Sequence, residues 1–136
     1  GYKSDVTRVV QLGQPPEEVQ QVYDLVRAAN QAGREAVVAG ATVADVDRAT
    51  RTVIEQGGYG EYFFHRTGHG LGLEIHEPPS ITSENEMILK PGMVFSVEPG
   101  IYLQDKFGIR IEDIVAVTEA GPCRRLTGLG HELIVR

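Results

Sequence analysis

One cysteine, Cys123, stands in the whole chain, which excludes an intramolecular disulfide framework and a cysteine-built zinc site. That scarcity suits a reducing compartment, and a cytoplasmic protein is expected. No apolar run approaches the roughly 20 residues that span a bilayer, and the polar opening Gly1-Tyr2-Lys3-Ser4-Asp5 does not resemble a signal peptide, so no membrane partner is expected. Runs of Lys and Arg are missing too. Thirteen basic residues face nineteen acidic ones, a formal net charge of −6, and nothing in their order forms a phosphate-tracking stripe. Nucleic acid is therefore not an expected partner. Several catalytic signatures are also absent. His76-Glu77 lacks the second histidine of a zincin helix, since Ser80 holds that position; Leu73 replaces the last glycine of a dinucleotide fingerprint; and there is no P-loop or nucleophile elbow. No internal repeat, low-complexity tract or linker divides the chain.

What is present is enough for one domain, residues 1–136, with 41% hydrophobic and 24% charged residues. Residues 2–12 are rich in β-branched and aromatic types and end at Gly13, which predicts a strand with Asp5 and Thr7 on one face. The chain starts inside that strand without a methionine, and a longer natural protein in the N-terminal direction is expected. Pro15-Pro16-Glu17-Glu18 opens a helix, and Val19, Val22, Leu25, Val26, Ala29, Ala32, Ala36 and Val37 carry its apolar stripe close to Gly40. Thr42 and Asp45 form a capping-box pair for a second helix that Gly57-Gly58 stops. Tyr59 to Pro91 reads as irregular backbone with short strands and turns. Met93–Leu103 and Phe107–Val117 read as strands joined by a turn at 104–106, and a short strand follows at about Leu133–Val135. Helices first and sheet afterwards predict an α+β fold, the helices covering one face of a largely antiparallel sheet.

Three separated stretches carry chemistry: Phe64 to Gly72 around His69, Val97-Glu98-Pro99-Gly100, and Arg110-Ile111-Glu112-Asp113. Strand alternation places Val94, Ser96 and Glu98 on one face and Arg110 with Glu112 on a face of the next strand. Asp5 and His69 can join them. Carboxylates converging at about 4 Å repel by about 4 kcal/mol per pair at an effective dielectric of 20, a cost that protons or cations must relieve. Acids with one imidazole and no thiolate suit Mn, Fe, Co or Zn, and bridging carboxylates favour two ions. Each piece also has a plain reading. Asp5 can be a surface acid, Glu98 a strand end, Glu112-Asp113 partners of Arg110, His65 a hydrogen-bonded turn histidine, and the glycines around His69 simple turns.

Taken together, Gly1 to Arg8, His65 to Pro79 (HRTGHGLGLEIHEPP), Lys90 to Tyr102 (KPGMVFSVEPGIY) and Gly108 to Gly121 (GIRIEDIVAVTEAG) make the chain resemble the C-terminal catalytic domain of Xaa-Pro peptidases, the prolidases and aminopeptidase P. Those belong to the pita-bread metallopeptidases, so the resemblance implies that fold, with a curved sheet and an incomplete N-terminus. It implies Asp5, His69, Glu98 and Glu112 as metal ligands, with Asp5 and Glu112 bridging two divalent ions, manganese foremost and Co, Zn or Fe as the other choices. Glu98 would pass protons, and His76 would stabilise the oxyanion or position the substrate. His65, His76 and Arg110 would line the substrate site, Arg110 also orienting the acids. The implied substrates are peptides or dipeptides with proline after the scissile bond.

The same family places a further aspartate ligand upstream of the position of Asp5, before Gly1. The chain is thus expected to supply four of five ligands, to bind metal weakly and to be poorly active alone, and its unpaired strand edge is expected to favour self-association into a homo-oligomer. Three other readings stand beside this one: a methionine aminopeptidase, which shares the fold and the Gly-His-Gly stretch; a metal-free amidinohydrolase of the creatinase type; and a non-catalytic pita-bread binding module.

Overall fold

The computed structural model describes residues 1–136. In order, the elements are β1 (Val10–Gln11), α1 (Glu17–Ala36), α2 (Val43–Gln56), a 3-10 turn (Gly60–Tyr62), β2 (Gly68–Gly70), β3 (Glu77–Ile81), β4 (Val94–Val97), β5 (Gly100–Leu103), β6 (Phe107–Arg110), β7 (Asp113–Ala116), β8 (Arg124–Arg125) and β9 (Ile134–Val135). A five-stranded antiparallel sheet runs in the order β3-β2-β4-β7-β8; β5 and β6 form a second antiparallel ladder, and β1 pairs with β9 in parallel.

Both helices lie on one face of this sheet. Val22, Tyr23, Val26 and Ala29 of α1 pack with Ile54 of α2 against Ile101, Ile109 and Ile111. A second cluster joins Val37, Val43 and Val46 to Ile81, Phe95, Val97 and Val115. Alternation along β4 sends Phe95 and Val97 to the helices, leaving Ser96 and Glu98 for the opposite face. Helix α2 begins as expected, with the Thr42 hydroxyl accepting from the Asp45 N–H and the Asp45 carboxylate accepting from the Thr42 N–H. Helix α1 stops at Ala36 rather than running close to Gly40. Two β-branched residues, Val37 and Val38, follow, and the chain then pairs with the 85–89 segment, Gly40 N–H donating to Leu89 O at 3.0 Å.

The two long strands of the expected hairpin are each broken in the middle. β4 pairs with β7 and β5 with β6, Val97 lying opposite Asp113 and Gly100 opposite Arg110, so one register continues across both breaks. The breaks fall at Glu98-Pro99 and Ile111-Glu112. Ile111 N–H still donates to Pro99 O at 3.3 Å across the break, but Pro99 has no N–H to return, while on their other edges Glu98 N–H donates to Thr67 O at 2.8 Å and Glu112 N–H to Thr7 O at 3.2 Å. Buried Asn30 of α1 donates its amide to Val97 O at 3.0 Å and to Ile111 O at 3.4 Å, the second being the carbonyl that Pro99 cannot serve. The N-terminal stretch forms a regular ladder only at Val10–Gln11; ahead of it, Thr7 makes a single antiparallel bridge to Glu112.

Candidate metal centre

The interrupted hairpin thus gathers the segments that bear the candidate residues. Thr67 precedes β2 and its His69, and Thr7 follows Asp5, so the two backbone bonds at the breaks draw all four acid and imidazole side chains to one place. Gly68 makes the approach of β2 to β4 feasible, because a Cβ there would run into the Ser96 carbonyl.

A polar cavity of about 300 Å³ results, lined by Asp5, Thr7, His65, Arg66, His69, His76, Glu98, Arg110 and Glu112, with no hydrophobic side chain among them. Asp5, His69 and Glu112 each present one potential ligand atom within 4.8 Å of the others. Glu98 joins through His69, with Oε1 3.1 Å from Nε2, while Asp5 Oδ2 lies 3.9 Å from the same nitrogen. His69 Nδ1 sits 3.0 Å from Gly70 O, and a carbonyl can only accept, so Nδ1 carries the proton and donates. The Nε2 lone pair then faces two carboxylates, an arrangement that needs a proton or a cation between them.

Glu98 is aimed by three contacts: the Ser96 hydroxyl donates to Oε1 at 2.8 Å, Arg110 Nη1 lies 3.2 Å from Oε2, and His69 is the third. Arg110 is itself held, its Nε donating to the Tyr102 hydroxyl at 2.7 Å. Glu112 is 2% exposed, and only one of its oxygens is satisfied: Thr7 Oγ1 donates to Oε2 at 2.6 Å, while buried Oε1 has no partner. Burial pushes its carboxyl up to about 7; the Thr7 hydroxyl pulls down, and nearby Glu98 and Asp5 push up again. An orphaned buried carboxylate oxygen, close to a second acid and an imidazole nitrogen, fits a divalent cation by donor chemistry.

Every site residue expected from the sequence lies at this cavity. His76 is an exposed member, its ring centroid 4.3 Å from that of His69. His65 packs edge-on to Phe63 and Tyr102, donates Nδ1–H to Arg66 O at 2.7 Å and leaves a buried Nε2 without a partner. Its burial, first, and nearby Arg110 hold the imidazole below its ordinary value despite the bond to Arg66 O. Arg110 pairs with Glu98, so the plainer pairing with Glu112 or Asp113 does not occur. Two lining residues escaped the sequence reading. Thr7 had been assigned the face of Asp5, but its bond to Glu112 spans 105 positions and leaves no local signal. Arg66 makes no ion pair and bonds only to Ser80 Oγ at 3.5 Å; its position beside His65 was the one available clue.

A carboxylate-rich cavity on the open face of a helix-backed antiparallel sheet is the arrangement of a pita-bread domain. The chain belongs to metallopeptidase family M24, which it matches over residues 1–119. Among curated relatives it is 49% identical over 135 residues to the "Probable dipeptidase PepE" of Mycobacterium tuberculosis, covering 99% of this chain and 36% of that protein. It is 45% identical over 133 residues to the "Xaa-Pro dipeptidase" of Pyrococcus furiosus, covering 98% of this chain and 38% of that one. Among solved structures, the recombinant prolidase of Thermococcus sibiricus superimposes with a TM-score of 0.96 at 52% identity, covering 99% of this chain and 36% of that one. The chain therefore spans little more than a third of the length of the relatives it matches.

Proposed function

We propose that this chain is part of a metal-dependent peptidase that cleaves the bond preceding proline in dipeptides or longer peptides, and that Asp5, His69, Glu98 and Glu112 are its metal ligands. The observation that carries this is the convergence of Asp5, His69 and Glu112 within 4.8 Å around a buried, unpartnered Glu112 oxygen. The printed activities of the prolidase and Xaa-Pro dipeptidase relatives support the substrate class. Two divalent ions, manganese foremost, are the proposed complement, and Asp5, His69, Glu98 and Glu112 would hold them. A complete pair of ions would draw a further carboxylate from outside these 136 residues, so this chain alone would bind metal weakly and turn over poorly.

Divalent ions at such a site supply Lewis acidity, lowering the pKa of water and polarising a carbonyl. The chain's own side chains do the rest. Glu98, oriented by Ser96 and Arg110, takes a proton from the attacking water at a carboxylate oxygen and delivers it to the leaving nitrogen as the peptide bond breaks. His76, beside His69 on the cavity wall, donates to the developing oxyanion. His65, on the same cavity wall, lines the substrate site. No helix is long and apolar enough to cross a membrane. We place the protein in the cytoplasm, and the exposed Tyr2, Leu126 and Leu129 suit a homo-oligomer.

Elemental analysis and calorimetric titration with Mn²⁺, Co²⁺ and Zn²⁺ test the reading, alongside Xaa-Pro hydrolysis by a version extended upstream. Specific binding that Glu112→Gln removes, and hydrolysis that Glu98→Ala removes, are the expected results. A folded extended protein that takes no metal would overturn it.

A further inference from the structure

We propose that the strap Leu126–His131, which lies beyond the residues matched to the family, positions the metal-side carboxylates through Arg8. The inference rests on the metal reading above and concerns how the site is held in shape.

Arg8 spends all five of its N–H donors, and its side chain is only 9% exposed. Nη1 donates to Thr7 O at 2.8 Å and to Glu112 O at 2.7 Å. Those two carbonyls belong to the two partners of the isolated bridge that sets Thr7 opposite Glu112. The remaining three donors go elsewhere: Nη2 to Asp113 Oδ1 at 2.7 Å and to Leu129 O at 3.0 Å, and Nε to Gly130 O at 2.6 Å. One planar group thus fastens the segment carrying Asp5, the residue Glu112 and the strap in a single fixed fork.

The strap reaches the same centre by side chains. Thr127 Oγ1 donates to Asp113 Oδ1, and His131 Nε2 lies 2.6 Å from Oδ2. Asp113 is fully buried and adjoins Glu112, but alternation turns it to the helix side, where Arg34 Nε is 3.6 Å from Oδ2. At its two ends the strap is tied to the domain. Leu126 N–H donates to Ile114 O at 2.8 Å, and the His131 carbonyl accepts from the Tyr23 hydroxyl at 3.1 Å. Only one side-chain bond, Thr7 to Glu112, joins the Asp5 segment to the Glu112 carboxylate directly. The backbone bond from Glu112 N–H to Thr7 O sets the two segments side by side, and the Arg8 fork, shaped by the strap, braces that bridge and so helps to fix the separation of the two acids. Outer partners of this kind commonly set metal affinity without touching the ion.

The test uses the 136-residue chain, Mn²⁺ as probe, and two readouts: calorimetric affinity and the melting temperature of the metal-free protein. Arg8→Lys keeps the charge and loses the fork; Thr127→Val removes one donor to Asp113 and is the milder variant should Arg8→Lys fail to fold. A core truncation at the start of α2, Val43→Ala, serves as the stability control. We expect Arg8→Lys to weaken Mn²⁺ binding about 10–100-fold, and Thr127→Val to weaken it less but in the same direction. Val43→Ala should lower the melting temperature while leaving affinity unchanged. The Co²⁺ absorption spectrum, which reports ligand geometry, should change in the first two and not in the third. Affinities equal to wild type, or falling only as they do in Val43→Ala, would overturn the positioning role while leaving the metal reading intact. If the wild-type chain takes no Mn²⁺, the same variants are compared in the version extended upstream, and a folded extended protein that also takes none would remove the metal reading and this inference with it.

Discussion

Glu112 and Asp113 are adjacent, both are buried, and the protein treats them in opposite ways. Asp113, on the helix side, is surrounded by donors; although burial pushes its carboxyl up, the bonds from Thr127, Arg8 and His131 more than offset this and hold it below the ordinary range. Glu112, on the cavity side, has one donor and a bare oxygen, and burial lifts it to about 7. One carboxylate is finished by the fold, and its neighbour is left for something else to finish. The lesson is that a single peptide bond separates a structural acid from a functional one, because alternation sends them into different surroundings.

The comparison breaks most severely at Asp113. Asp113→Asn leaves Arg8 without its buried counter-charge and should cost about 3–5 kcal/mol in urea unfolding. Glu112→Gln should act in the opposite sense in the metal-free chain. A carboxyl raised in the folded state, from 4.5 to about 7, contributes stability that is complete below pH 4.5 and lost as pH rises through about 7. That interval corresponds to about 3 kcal/mol, so Glu112→Gln should match wild type near pH 4 and exceed it at pH 8. Equal stability at both pH values would mean that Glu112 is not strained. Saturating Mn²⁺ should relieve the strain by another route: at 100 times its dissociation constant it stabilises wild type by about 2.7 kcal/mol, more tightly at higher pH because the ligand must be ionised. A thermal scan of Glu112→Gln with Mn²⁺ should show no such gain. The smallest effect belongs to Thr7→Val, which removes the single donor to Glu112. It should cost about 1 kcal/mol and move the wild-type stability loss to higher pH, since that bond holds the carboxyl down.

Much of this was legible in the residues themselves. The Thr42–Asp45 capping box, the stop at Gly57-Gly58 and the alternation of Ser96 with Glu98 are local patterns, and they recur in three dimensions as read. The end of α1 was overestimated because alanines and valines continue the helical spacing past Ala36, while the competing partner, Leu89, lies far along the chain. The break in the hairpin had one local cue, since Pro99 has no N–H to give Ile111 O, but the segments that pair beside it through Thr67 and Thr7 lie outside any local window. Asp113 was considered only as a partner for Arg110, since its actual partners, Arg8 and His131, stand 105 and 18 positions away.

The uninterrupted register of the hairpin makes the cavity intolerant of one kind of genetic change and indifferent to another. Its tip, Gln104–Lys106, with Asp105 in the left-handed region at φ 59°, lies beyond β5 and β6, so residues added there lengthen a loop and leave Glu98 facing Glu112. One residue added or lost between Glu98 and Gly100, or between Arg110 and Glu112, turns a whole strand over and exchanges the cavity face for the core face. Length variation in such hairpins should therefore collect at the tip, and a one-codon deletion beside either glutamate should be more damaging than most substitutions of the glutamate itself.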